Sequence, residues 1–272
     1  MLKYFLIVPI IAVNIFYSSE RQKVSYQASF TSDKKIEVGE ELDYVVKYAF
    51  FVLGQLSIKV TGKFEYKGKT YYRAEAYIDS YDGIPFVDIH QIYKTIFPTS
   101  VYSSGFTGIV KHDHYSTFTR YDFKYDSSKV FIQQGKVFPH QVWTDSTAEI
   151  NKKFQDGLSI LYYARVNSGQ KKSEGVPCFV NEKKEITKIN FYDKVTDISI
   201  DAIDYPVACV KVDGEMNFVS IYGLTGGFEG WFSDDQDAVP IYAKMHVIVG
   251  DVTVELKEWK KKGWTPPKYE DN

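Results

Sequence analysis

Polar and apolar residues alternate along much of the chain from Glu37 onward. The stretch "ELDYVVKYAF" sets Leu42, Tyr44, Val46 and Tyr48 against Asp43, Val45, Lys47 and Ala49. A strand points successive side chains to opposite faces, so this period places one apolar set on one face of a sheet. "QLSIKVTGKFEY" repeats the device with Leu56, Ile58 and Val60, "KGK" at Lys67 to Lys69 reads as a turn, and "TYYRAEAYID" returns with Tyr72, Ala74, Ala76 and Ile78. Connections this short join antiparallel strands, because parallel crossovers need a dozen residues or more. "SYDGIP" breaks the run, and further strands are predicted over Val87–Phe97, Tyr115–Tyr125 and Val130–Gln134.

One segment changes period. "QDGLSILYYARVNSG" spaces Leu158, Leu161, Tyr162 and Arg165 as a helix does. Asp156 supplies an N-cap carboxylate for an orphan backbone N–H, and Gly169 supplies a stop. After the charged stretch "NEKKE", strands are expected at Ile186–Val195, Pro206–Val212 and Glu215–Tyr222. A closing hairpin puts Ile241, Ala243, Met245, Val247 and Val249 on one face. It turns at Gly250-Asp251 and returns through Val252, Val254 and Leu256. The pattern predicts a mostly β protein: an antiparallel meander forming a curved sheet, a sandwich or a partly open β-barrel, with one clear helix near residues 156–167.

Composition agrees. Of 272 residues, 22 are Tyr and 19 are Phe, and aromatic side chains suit pleated, half-buried surfaces. The hydrophobic share of 44% is enough for a sizeable core. The net charge of -2 argues against general nucleic-acid binding, which needs concentrated basic surface. At the start, Lys3 precedes the uncharged apolar run Tyr4 to Tyr17, which is short against the about 20 residues of a bilayer-spanning helix. Residues 1–19 therefore read as a signal peptide cleaved near Ser18 or Ser19, leaving no stable transmembrane span; an uncleaved anchor is the alternative. The expected organisation then runs from a flexible segment at 20–36 to a single β-rich domain at 37–259. A seam between two β halves is expected at 156–185, and a polar, mobile tail at 260–272.

Candidate chemistry is sparse. In "GWFSDDQDAVPIY", Asp234, Asp235 and Asp237 lack the spacing, central Gly and terminal Glu of a calcium loop. The favoured reading is a polar turn between strands, with a carboxylate bonding nearby backbone N–H groups. Those acids stay a metal candidate only if another acid or a histidine lies against the turn. His112 and His114 of "HDH" would share a face on a strand, yet a metal site would need further ligands, with His90, His140 or an acid as candidates. "GLTGGFEG", with Gly223, Gly226, Gly227 and Gly230, reads as a loop between strands rather than a phosphate cradle, because no helix follows. Cys178 and Cys209 are the only cysteines; export would permit a disulfide, and two small buried hydrophobes is the other reading. The tail "KEWKKKGWTPPK" joins Lys260–Lys262 to Trp259 and Trp264, which can be a solvated tail or a contact for a partner or anionic surface. No catalytic, cofactor-binding or metal-binding residue is assigned, and no cofactor is implied.

Several stretches together resemble bacterial exported proteins grouped as domain of unknown function 3108. They are "GEELDYVVKYAFFVLGQLSIKV", "RYDFKY", "DGLSILYYARV", "PVACVKV" and "WFSDDQDAVPIYAKMHVIVGDVTVELKEW", spanning Gly39 to Trp259. The chain carries Ala238 where the family often has a basic residue, so no charge role carries over there. The resemblance implies an exported, mostly antiparallel β protein and brings no catalytic residues. The excess of aromatics on alternating strands, with only one clear helix to cover them, suggests a concave apolar face. The expected role is a non-enzymatic protein of the periplasm or outer cell envelope that holds a lipid or other hydrophobic small molecule. The alternatives are an interaction module with an envelope protein partner and, less favoured, a carbohydrate-active enzyme using the Asp234–Asp237 acids.

Overall fold

The computed structural model describes residues 36–84, 88–221, 223–247 and 250–270. The signal-peptide reading, nearly all of the 20–36 segment, and Val87, Tyr222 and Val249 lie outside these residues. Strands β1 Glu41–Tyr48, β2 Phe51–Tyr66, β3 Lys69–Ser80, β4 His90–Pro98, β5 Gly105–Lys111, β6 Ser116–Lys124, β7 Lys129–Lys136 and β8 Gln141–Glu149 come first. Helix α1, Ser159–Asn167, follows. Then come β9 Lys172–Val180, β10 Lys183–Ile198, β11 Val207–Met216, β12 Gly226–Ser233, β13 Pro240–His246 and β14 Asp251–Lys260.

All fourteen strands form one antiparallel sheet, ordered β8-β7-β6-β5-β4-β3-β2-β1-β14-β13-β12-β11-β10-β9. Successive strands pair with one another throughout except β8 with β9, and at the middle β1 pairs with β14, Tyr44 opposite Leu256 and Val46 opposite Val254. Two meanders thus meet at β1–β14. Their free edges, β8 and β9, are consecutive in sequence and are joined through α1. The sheet does not close by pairing them. Residues 150–157 run between the edges instead: the Ile150 N–H donates to the Ser128 carbonyl, and Ser103 N–H to Phe154, each at 2.8 Å. On the other side Gln155 N–H donates to Pro177 and Phe179 N–H to Gln155, also at 2.8 Å. The turn after β9 adds a clasp, with Glu182 accepting from Tyr121 at 2.8 Å and from Gln134 at 3.0 Å. The result is the expected mostly β protein in its partly open, barrel-like form.

The period-two reading places the inner face correctly. Leu42, Tyr44, Ile58, Val60, Ala74, Ala76 and Leu256 are all buried in the main core. Three strands were not expected. β5 carries Gly105 and Gly108, which weaken its pattern. β8 is an edge whose side chains are largely exposed, so it has no apolar face to announce. β9 contains Pro177, tolerated because β10 is its one partner strand and the bridge from Gln155 on its other side uses the Pro177 carbonyl and the Phe179 N–H, not a Pro177 N–H. Conversely, residues 217–221 are not strand: β11 runs unbroken to Met216, and Ser220 then closes a loop by donating its N–H to Leu224 at 2.7 Å. The closing hairpin turns over four residues, not two, since His246 pairs with Asp251 and the Val247 N–H donates to Gly250 at 3.1 Å. In "NEKKE", Asn181 and Glu182 both take positive φ, 51° and 61°, making the two-residue turn between β9 and β10.

Helix α1 packs on the inner face. Leu158, Tyr162 and Arg165 are buried, as their spacing predicts, and the Tyr162 ring lies 4.7 Å from that of Phe97. The helix starts at Ser159, with Leu158 in the N-cap position, yet Asp156 still serves its first turn: Oδ1 accepts the N–H groups of Leu158 and Ser159, each at 2.8 Å. The Ser159 hydroxyl accepts the Asp156 N–H in return. Gly169, φ 76°, follows the helix end.

The C-terminal segment departs most from expectation. Lys261 and Trp264 are buried, and the backbone docks on β11, with Ala208 N–H donating to Pro267 and Tyr269 N–H to Pro206, each at 2.8 Å. Described residues up to 270 are part of the fold rather than a mobile tail, because the buried Trp264 ring and the Lys261 ammonium, paired with Glu40 and Asp237, outweigh the polar composition around them.

Candidate functional site

The acidic turn between β12 and β13 is a structural node. Asp235 Oδ1 accepts from the Ser233 hydroxyl and from the N–H groups of Asp237 and Ala238, at 2.9, 2.9 and 2.8 Å. Its Oδ2 accepts the Trp264 indole N–H at 2.9 Å. An acid does lie against the turn: the Lys261 ammonium stands 2.9 Å from both Glu40 and Asp237. Arg165 grips Glu40 with both terminal nitrogens, one at 2.8 Å, and its Nε donates to the Asp237 carbonyl at 2.9 Å. Two cations therefore already neutralise these carboxylates. Among the described residues no three His, Cys, Asp or Glu side chains are grouped to hold a metal.

The other candidates are dispersed. His112 and His114 occupy the turn between β5 and β6, not a strand, so they do not share a face; His112 stacks on Tyr115 at 4.5 Å. His90 pairs with Asp79 at 3.0 Å on the neighbouring strand. Gly226 and Gly227 begin β12, where they pair with Met216 and Glu215. Cys178 and Cys209 are separate buried thiols. Burial pushes the Cys178 thiol up to about 12 and also raises that of Cys209, which keeps both protonated and poor nucleophiles.

What the fold does build is a cavity of about 460 Å³ between α1 and the central strands. Ile160, Leu161 and Ala164 project into it from the helix. Val46, Leu56 and Val254 line it from the strands where the two meanders meet, and Ile189, Val212 and Phe228 from the second meander. The size lies within the range of about 300–1,000 Å³ that holds small ligands. Close backbone packing shapes the wall: a Cβ on Gly214 would stand 2.1 Å from the Lys188 carbonyl and 2.5 Å from the Phe228 ring, so only glycine lets Phe228 lie there. The loop after β11 folds inward across one side, where Ile221 packs on Gly157 and its carbonyl accepts the Tyr93 hydroxyl at 2.7 Å.

Three polar side chains on the cavity's border, Asp156, Cys178 and Ser220, are engaged with the protein. Asp156 accepts the Thr95 hydroxyl at 2.6 Å besides its two cap bonds. Cys178 lies 3.3 Å from Thr187, and Ser220 accepts the Leu224 N–H at 3.3 Å. Burial pushes the Asp156 carboxyl above its ordinary range, while its hydrogen-bond donors hold it back. The arrangement presents hydrocarbon to an occupant and gives no assembled acid, base or nucleophile. Sequence reasoning named none of these lining residues as a site, because the same alternation describes a filled core.

Comparison with known proteins agrees with the architecture. The chain is similar to a β-barrel-like protein of domain of unknown function DUF1849 from Brucella abortus, at 12% identity and a TM-score of 0.50. The match covers 82% of this chain and 97% of that one. A putative exported protein with a YmcC-like fold from Bacteroides fragilis NCTC 9343 matches at 12% identity and a TM-score of 0.34, over 84% and 98% of the two chains. No curated protein matches. The model of the family described as protein of unknown function (DUF3108) matches residues 43–257, almost the whole of the sheet, and the chain belongs to that family.

Proposed function

We propose that this is a non-enzymatic, exported protein of the cell envelope that holds a lipid or another hydrophobic small molecule between α1 and the sheet. The carrying observation is the cavity itself: about 460 Å³ walled mostly by aliphatic and aromatic side chains, with Asp156, Cys178 and Ser220 on its border already bonded within the protein. Apolar ligands gain most from such a wall, since burial is worth roughly 25 cal/mol per Å² of apolar surface removed from water. A strongly polar substrate would lose its water against a wall that is mostly hydrocarbon. Export is supported by Lys3 and the apolar run Tyr4 to Tyr17. No helix of the described residues is long and apolar enough to cross a membrane.

The test is native mass spectrometry of protein purified without detergent, together with organic extraction and uptake of an apolar fluorophore. A bound hydrophobic species displaced by the fluorophore is the expected result. Protein of bare mass that leaves the fluorophore in water would sink the reading.

A further inference from the structure

An antiparallel meander sorts its turns into two ends. The turns after β1, β3, β5, β7, β9, β11 and β13 share one end of the sheet. The other end receives the chain before β1, releases it after β14, and holds the buried Glu40–Arg165–Lys261 cluster with Trp264. The cavity reaches the first end through Leu53, Ser80, Ile89 and Phe218.

Exposed hydrophobic side chains are not shared evenly between these ends. Ten of the fifteen large ones exposed among the described residues lie in, or within three residues of, the turns at the cavity's end. Phe50 and Phe138, each 84% exposed, stand at the tips of the turns after β1 and β7. Phe51 lies against Phe50 with ring centroids 4.3 Å apart, and Tyr81, Trp143 and Val219 mark other turns or strand starts. Leaving such rings in water forfeits about 1.5–3 kcal/mol each, so their gathering at one end asks for an apolar neighbour. They sit on separate projecting turns rather than on one flat face, which suits a fluid more than a rigid protein surface. The charges among them are mixed. Lys111 and Lys136 flank the turn after β5 and the start of the turn after β7, and exposed Asp82 and Asp88 lie in the turn after β3. That mixture complements headgroups bearing both phosphate and ammonium, with no bias towards a purely anionic sheet.

We infer that this end docks on the surface of a zwitterionic lipid bilayer, with the turn-borne rings embedded at the level where aromatic side chains favour the membrane interface. Hydrocarbon then passes between bilayer and cavity without crossing water. The docking takes its purpose from the cavity reading, yet its evidence is separate, so the two can fail separately.

The experiment is flotation of the whole chain with phosphatidylcholine–phosphatidylethanolamine vesicles, read beside fluorophore uptake. Trp143 is a built-in reporter, because Trp231, Trp259 and Trp264 lie towards the other end. Expected results are flotation, a blue shift, and quenching by brominated acyl chains that Trp143→Phe lowers, the remainder coming from Trp231 in the cavity wall. Joint replacement Phe50→Ser, Phe51→Ser and Phe138→Ser lowers partitioning about tenfold or more, from the area no longer buried. Tyr66→Ser, exposed at the other end, leaves it unchanged. Fluorophore uptake without flotation overturns the docking and spares the cavity reading; flotation without uptake does the reverse. Unchanged flotation of the triple variant, binding only to anionic vesicles, or dimerisation through these rings in place of vesicle binding each overturns the docking.

Discussion

The indole N–H of Trp264 reaches Asp235 across 2.9 Å, tying the segment after the last strand to the turn between β12 and β13. The opposite oxygen of Asp235 already organises that turn, so one carboxylate fixes both a local loop and a distant chain end. A chain ending at Lys260 loses the buried Trp264 and the Lys261 ammonium together. It is expected to unfold at lower urea, with a loss of about 3–5 kcal/mol typical of removing a buried Trp. Asp235→Asn keeps one acceptor oxygen and turns an amide towards the indole, two donors facing each other. Its expected cost is smaller, about 1–2 kcal/mol. Equal stability of the full and shortened chains would show that the segment is not anchored.

Glu40 and Arg165, 125 residues apart, are both nearly inaccessible to water. Burial opposes ionisation of Glu40, but Arg165 and then Lys261 outweigh it and hold the carboxyl below its ordinary value of 4.5. A carboxyl lowered in the folded state stabilises fully above its unfolded value and loses that contribution as pH falls through the folded one. Thermal stability should therefore drop below about pH 4.5 in the parent and drop less steeply in Glu40→Gln. At neutral pH the same variant leaves Arg165 and Lys261 short of a counter-charge, at a cost of about 3–5 kcal/mol. A parent and variant with parallel pH profiles would contradict the assignment.

These two links explain what the sequence could and could not disclose. Period two in β1 to β3 and β13 to β14 was readable because apolar residues such as Leu42, Tyr44, Ile58, Val60, Ala74, Ala76, Ile241 and Leu256 recur at alternate positions and supply the buried core. The helix was readable because Leu158, Tyr162 and Arg165 recur at its spacing and Asp156 stands before it. β8 and β9 escaped because an exposed edge has no apolar face and an edge strand tolerates proline. The acidic turn was recognisable as a turn, but its partner lies 29 residues on and carries no local mark. The cavity was hidden for a different reason. Val46, Leu56 and Val254 show the same alternation whether opposing side chains touch them or stop short.

Asp156 gives a sharper test of the helix. It is fully buried and serves Thr95, Leu158 and Ser159 at once. Asparagine retains the oxygen that caps the helix, and the Thr95 hydroxyl can rotate to accept from the new amide. Alanine leaves two N–H groups and a hydroxyl without partners in a dry site. Asp156→Ala should cost about 2–4 kcal/mol in chemical denaturation and Asp156→Asn less than about 1.5, given the penalties for lost caps and unsatisfied buried donors. Similar costs for the two would mean that the charge, not the cap, is what matters there.

Ala243 and Leu161 face each other's side of the cavity from β13 and α1, and they permit opposite manipulations of its volume. Ala243 lines the cavity together with Gly230 and Val254, its partners on the neighbouring strands. Ala243→Phe extends a ring into empty space, and filling a void restores contacts that its lining lacked. The variant should keep or gain stability while its affinity for an apolar fluorophore falls about tenfold, the loss of roughly 1.4 kcal/mol of burial. Leu161→Ala enlarges the same space from the helix side and should cost about 2 kcal/mol, near the low end for leucine truncation because Leu161 is only partly buried. It retains fluorophore binding and admits a bulkier probe. Opposite shifts in the two variants tie uptake to this cavity; equal uptake in parent and both variants would place the bound probe elsewhere on the protein.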